Sequence, residues 1–247
     1  GVCVKDFGCV IENTHDVIVR YIRFRPGDQE KVEQDALWVH SSRDVIIDHC
    51  STSWGTDETL SVTGEGATNI SVQWCMITES LNNSVHHKGP HGYGSLLRID
   101  GNVSFHHNLF ASNSSRNPRP GCYGDMGRGG MVDFRNNVIF NWGERPGYTE
   151  DDKVALNLVA NYYKPGPSTQ PGNRAYAFIV GGRATNLYAS QNVHEGNPEG
   201  MRDNWNLISV FDTSWVGAVR LPVPLCAPHV NTEPATDAFK SVLMKSG

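Results

Sequence analysis

Val103-Ser-Phe-His-His-Asn108-Leu-Phe110 and Val132-Asp-Phe-Arg-Asn-Asn137-Val-Ile-Phe140 decide the fold. Each reads as a short alternating strand, a polar residue near its end and a second short apolar stretch. The same pattern occupies residues 17–24, 45–50, 70–77, 156–162 and 187–193. Superposed, one column reads Ile22, Cys50, Cys75, Asn108, Asn137, Asn161, Asn192, at spacings of 28, 25, 33, 29, 24 and 31 residues. A sandwich has no reason to return one residue type to one bend so often. A parallel β-helix does, because its coils stack at the strand spacing of about 4.8 Å. Stacked asparagines can then hydrogen-bond to one another and to the turn backbone. Cys50 and Cys75, on adjacent coils of this column, are expected to be buried free thiols.

The uneven spacings place insertions after the bends, at 82–94, 112–130 and 143–152. A solenoid collects such insertions on one face, often the binding face. Near the C-terminus, residues 232–245 predict a helix packed on the outside of the solenoid. Thr236 is the expected N-cap, and Ala238, Phe239, Val242 and Leu243 the apolar face. The expected architecture is all-β, a parallel β-helix with long loops on one face and a short C-terminal helix. Gly1 opens on structured-looking sequence and Ser246-Gly247 ends abruptly. The organisation is therefore read as one domain over residues 1–247, trimmed at both ends.

Net charge is −5 over 247 residues, and the pI is about 6.0. A general nucleic-acid binder is therefore not expected. The charge is uneven. Residues 88–145 hold seven Lys/Arg against four Asp/Glu, an excess of three that leaves −8 elsewhere. A local basic patch on an acidic chain points to an anionic ligand. Arg116-Asn-Pro118-Arg119-Pro puts two guanidiniums beside a stiff proline pair, a natural arrangement for a carboxylate. No apolar run is long enough to span a membrane, and no membrane partner is expected. Six cysteines without a CxxC pair suggest neither a disulfide scaffold nor zinc. A monomer is expected.

Several motifs in order resemble a known family. They are Asp35-Ala-Leu-Trp-Val, Val45-Ile-Ile-Asp48-His49-Cys50-Ser, Asp57-Glu-Thr-Leu-Ser61, Ser84-Val-His-His87-Lys88-Gly, His106-His107-Asn108-Leu-Phe and Arg116-Asn-Pro118-Arg119. Together they resemble successive coils of the calcium-dependent pectate lyases, which are right-handed parallel β-helices. The match runs from about residue 17 to about 142, with a weaker echo in the last helix. The resemblance implies that Arg116 takes the C5 proton of galacturonate and that Lys88 binds substrate. It further implies an acidic polysaccharide, polygalacturonate, as partner, and a secreted or periplasmic location because such polymers lie outside cells. Arg119, His91 and His107 are the further substrate-binding candidates. His91, His106 and His107 are also alternative proton handlers, although at least one of His106 and His107 is expected to be structural. The chemistry explains the residue types: the C5 proton is acidic only once the adjacent carboxylate is neutralised by cations. A guanidinium normally stays protonated, so an arginine base is an implication of the resemblance rather than of the residues.

The resemblance implies Ca2+ held by Asp35 and Asp57, with Ser61 standing where a further carboxylate is expected. Glu58 or the substrate carboxylate is left to complete the set, because calcium takes six to eight oxygens. Gly121 stands where the family often has an arginine, a charge that Arg119 or Arg128 would have to supply. Asp48 reads as a hydrogen-bond acceptor inside its coil. Two other functions remain open from sequence. One is a β-helix glycoside hydrolase using a pair among Asp35, Asp57 and Glu58; the other is a non-catalytic adhesin or binding module. The basic set favours free pectate over its methyl ester.

Overall fold

The computed structural model describes residues 1–124 and 129–247. Every paired strand in it is parallel, and successive strands of each sheet come from successive coils. One coil shows the plan. Leu37–His40 lies in a first sheet, Arg43–Asp48 in a second and Ser51–Ser53 in a third. The first sheet has five strands, the second seven and the third eight. Tyr148–Thr149, Phe178–Val180 and Ile208–Val210 form a separate three-stranded sheet in the later coils. This is the parallel β-helix that the repeat predicts.

Alternation builds the core. In the second sheet Val45, Ile70, Val103, Val132, Leu156 and Leu187 stand in one register, all essentially buried. Ile47, Val72, Phe105, Phe134 and Leu158 form the next inward row. Stacking like side chains on like keeps each coil's cross-section constant, which is what lets a coil be repeated.

The corner between the second and third sheets holds the asparagine column. Tyr21, His49, Trp74, His107, Asn136, Ala160 and Gln191 all take left-handed backbone there, with φ between 50° and 60°. The following amide then donates along the axis to the next coil. Asn108 N donates to Asn137 Oδ1, Asn137 N to Asn161 Oδ1 and Asn161 N to Asn192 Oδ1, each at 2.9 Å. Each Nδ2 returns a bond to a main-chain carbonyl: Asn108 to Val72, Asn137 to Phe105 and Asn161 to Phe134. Cys75 N enters the ladder through Asn108 Oδ1. Asn204, from a 3-10 turn outside the repeat, closes it by accepting from Asn192 N at 2.6 Å. Cys50 and Cys75 are buried free thiols, as expected.

Three local expectations are corrected. The segment 112–130 is not all loop, because Arg119–Cys122 is a strand of the first sheet. Arg-Pro-Gly reads as a turn, but this strand is the last of its sheet, where a proline without an N–H is tolerated. The C-terminal helix is Ala235–Lys245, and Pro234 rather than Thr236 is its N-cap. Pro234 takes extended backbone, with ψ at 140°, and its carbonyl accepts from Asp237 N and Ala238 N. The helix does pack outside the solenoid, burying Ala238 and Val242 and setting Phe239 against Tyr162 at 4.5 Å. Leu243 is 54% exposed and is not part of the packed face.

The ladder predicts that Asn137→Ala strands several buried amides and destabilises the protein by about 2–5 kcal/mol in urea unfolding. Asn186→Ala, at an exposed strand position, should change it by less than about 0.5 kcal/mol.

Candidate active site

The loops that return the chain from the third sheet to the first converge on one edge of the first sheet. They bring Glu33, Asp35, Asp57, Glu58, His86, His91, Tyr93 and Arg116 together. A cleft of about 230 Å³ there is lined by Asp35, Trp38, Asp57, Glu58, Ser61 and Leu96, among others. The backbone holds the rims. Arg116 has left-handed backbone at φ 58° and precedes a cis Asn117–Pro118 bond. Its carbonyl accepts from Ser95 N at 2.6 Å. Gly94 allows this approach, since a Cβ there would lie 2.6 Å from the Arg116 carbonyl oxygen.

The Arg116 guanidinium forms an ion pair with buried Glu58 and lies 4.4 Å from the Tyr93 ring centroid. Tyr93 begins a stack. His91 lies 4.0 Å from it, His86 lies 3.7 Å from His91 at an interplanar angle of 5°, and His87 follows at 4.9 Å. Arg116 therefore has a charged partner at one edge and an aromatic plane on one face, so its rotamer freedom is small.

Asp35, Asp57 and Glu58 present oxygens that lie within 4.8 Å of one another. Asp35 Oδ1 also accepts from Glu58 N at 3.0 Å, which ties the two coils together. Burial pushes the Asp35 carboxyl up to about 8, against the lowering influence of the Ser61 hydroxyl. Burial is the largest single influence on Asp57 and opposes its charge, but the His91 hydrogen bond at 2.9 Å together with the neighbouring His91, His86 and Arg116 charges outweighs it and holds Asp57 below the usual carboxylate range. Three converging hard oxygens are a donor set that suits calcium. Glu58 is the third carboxylate of this cluster, and Ser61 adds a hydroxyl to its lining.

The histidines are a different chemistry. His86 Nε2 faces Asp57 at 3.5 Å and Glu33 at 3.7 Å. Its Nδ1 accepts the Lys88 backbone N–H at 3.1 Å. Burial holds His86 below the ordinary imidazole range, so the ring is neutral near pH 7. A neutral ring that accepts at Nδ1 carries its proton on Nε2 and offers no lone pair there. His86 is therefore a donor toward the two carboxylates rather than a metal ligand.

The structure brings Arg116, Asp35, Asp57 and His91 into one site. Lys88 sits exposed on the loop whose backbone His86 anchors. Two of the sequence candidates lie elsewhere or are already committed. Arg119 is buried and bonded to Asp152 at 2.7 Å and Glu150 at 3.0 Å, so its charge is neutralised within the protein. His107 lies at the asparagine corner, stacked on Trp74 at 4.3 Å and 3.9 Å from Glu233, beneath the C-terminal segment. Burial lowers both His107 and His106, the latter to about 4. Strand register explains the placement: His106 ends a second-sheet strand and His107 is its bend residue, away from the returning loops. Asp48 is an internal acceptor as expected, from His49 Nδ1 at 2.7 Å and Arg20 Nε at 2.6 Å. Arg128 lies outside the described residues. Glu33, His86 and Tyr93 join the site without being candidates from sequence. His86 was signalled only by its place in the Lys88 motif, and Tyr93 by nothing before the coils were stacked.

Fold and site together define a parallel β-helix with a carboxylate and arginine cleft on one sheet edge. The chain is 35% identical over 210 residues to a protein named probable pectate lyase C from Aspergillus fumigatus, covering 84% of this chain and 45% of that protein. It thus spans about half the length of the curated relatives it matches, and it is their homologue. Among solved structures, a pectate lyase from a Bacillus species in complex with trigalacturonate matches at a TM-score of 0.62 and 17% identity, over 98% of this chain and 71% of that one. Pectate lyase C from Erwinia chrysanthemi, determined with Ca2+, matches at 0.61 and 17%, over 100% and 71%. These likenesses establish the right-handed parallel β-helix. No protein-family model matches the chain.

Glu58→Gln should leave the largely buried Arg116 cation without its carboxylate and cost about 3–5 kcal/mol in denaturant unfolding. A double-mutant cycle with Arg116→Ala should return a coupling of about 1 kcal/mol or more; additive single effects would show that the pair is not an interacting unit.

Proposed function

We propose that this protein is a pectate lyase that cleaves polygalacturonate by β-elimination in the first-sheet cleft. The observation that carries the reading is the contact of Arg116 with a three-carboxylate cluster, on a homologue of proteins named pectate lyase. Elimination needs a base at C5, neutralisation of the C6 carboxylate and departure of the O4 leaving group. Arg116 is the base. The C5–H electrons form the C4=C5 bond as the C4–O4 bond breaks, and the departing oxygen takes a proton from solvent. Lys88 on the neighbouring loop binds a substrate carboxylate, and His91, held by Asp57, lines the approach. Glu58 and the Tyr93 ring hold the guanidinium in place, which keeps the reorganisation cost of the transition state small.

Asp35, Asp57 and Glu58 are the residues that would hold Ca2+. When bound, the ion would supply positive charge that offsets the negative charge of a substrate carboxylate and so makes the neighbouring C5 proton more acidic. Free pectate rather than its methyl ester follows from this cation-based recognition, and a location outside the cell follows from the polymer. No helix among the described residues is long and apolar enough to cross a membrane. A glycosidase reading needs two carboxylates about 5–10 Å apart around the bond. The carboxylates here are clustered more tightly than that, and one of them is committed to Arg116.

Incubation with polygalacturonate should produce the ultraviolet absorbance of an unsaturated uronate, lost on chelation and restored by calcium. Reducing ends without that absorbance would contradict the elimination. Arg116→Ala should lower kcat by about 10²–10³-fold; full activity in that variant would remove Arg116 from the chemistry. Because Asp35 is held protonated up to about pH 8, calcium binding must displace its proton. Calcium affinity measured calorimetrically should rise with pH toward 8 and level off above it. About one proton should be released per ion near pH 6.5.

A further inference from the structure

The outer face of the first sheet carries an arginine that the reading above leaves unused. Leu97 and Ile99 are fully buried, so strand alternation turns Arg98 outward. Its register partners are Thr63 on the preceding coil and Gly121 on the following one. Arg98 Nε donates to the Cys122 carbonyl at 3.0 Å, which pins the guanidinium, while neither Nη has a hydrogen-bond partner among the described residues. Among the described residues no carboxylate pairs with it. Arg116 and Arg119, by contrast, are each bonded to acids.

The surroundings suit a sugar. Tyr123 is 39% exposed and lies 6.4 Å from His40, which lies 4.6 Å from Trp38. Thr63 Oγ1 holds both Trp38 Nε1, at 2.8 Å, and His40 Nδ1, at 3.2 Å. Trp38 in turn lines the cleft beside Asp35 and Asp57. Aromatic surface therefore runs from the carboxylate cluster toward Arg98. Gly121 adds no side chain there and cannot easily gain one. A Cβ at 121 would come within 2.7 Å of Arg119 Nη1 and Asp152 Oδ2.

We propose that Arg98, with Trp38, His40 and Tyr123, forms a uronate-binding subsite. Its Nη groups take the carboxylate of one sugar, and the aromatic rings cover the apolar face of the chain. The cation that Gly121 does not provide is thus supplied from the preceding coil. The inference rests on the lyase reading of the cleft and adds a specificity-determining residue to it.

The test is calorimetric binding of trigalacturonate and of its methyl ester to wild type, Arg98→Gln and Tyr123→Leu, alongside lyase kinetics. Arg98→Gln should weaken binding of the acid by about 10-fold or more. It should raise KM by more than it lowers kcat and leave binding of the ester unchanged. Tyr123→Leu should weaken both ligands. Unchanged affinity of Arg98→Gln for the acid, with wild type still cleaving, overturns the subsite alone. If wild type binds without cleaving, and Arg98→Gln weakens that binding, the subsite stands and the lyase reading falls. Wild type that neither binds nor cleaves overturns both. Should Arg98→Gln not fold, Tyr123→Leu decides, and unchanged affinity there overturns the proposal.

Discussion

One buried hydrogen-bond ladder sets the geometry on which everything else depends. At each bend a non-glycine residue sits in left-handed backbone, a conformation that costs roughly 1–2 kcal/mol for an L-residue. The next amide is thereby aimed along the axis, and at the bends from Trp74 to Ala160 an asparagine on the following coil accepts it. Asparagine suits the position because one side chain carries both an acceptor for that amide and a donor for a carbonyl of its neighbour. Each buried amide group is satisfied, and the register of every coil is fixed to the next. A one-residue slip would turn the apolar rows outward and break the ladder at once.

With register fixed at that corner, the loops that close each coil are free to vary. They have done so in length and charge. Arg116 and the carboxylates that surround it come from separate coils, so their proximity depends on coil stacking and not on sequence separation. The acids do two jobs. Glu58 and Asp57 stay engaged with Arg116 and His91, while Asp35 is held protonated by burial. A cation entering the cluster has a proton to displace. Arg116 keeps an aromatic face and a charged partner throughout.

Much of this was legible in the residues. The Asn108, Asn137, Asn161 and Asn192 column gave the β-helix because like residues stack on like. The order of the motifs singles out Asp35, Asp57 and Arg116 as site candidates, and coil stacking brings the three to one cleft. What was not legible depends on which outward side chains meet across coils. Nothing in Arg119-Pro-Gly121 signals that Asp152, more than thirty residues on, neutralises Arg119. His106-His107 looks like a reactive pair, yet the first ends a strand and the second is the ladder's bend residue. Asn204 closes the ladder from outside the repeat, so no spacing could announce it. Glu58 joins Asp35 and Asp57 only because coil stacking brings a carboxylate oxygen of each within 4.8 Å of the others.

The central claim is that the carboxylate cluster on the first sheet, and not the histidines beside it, is the cation site that serves Arg116. A crystal structure of Arg116→Ala with calcium and trigalacturonate, with the metal located by anomalous scattering, tests it most directly. The account predicts one calcium bridging Asp35, Asp57 and Glu58 to a substrate carboxylate. A metal coordinated by His86 and His91, or a sugar bound with no cation at the cluster, would contradict it.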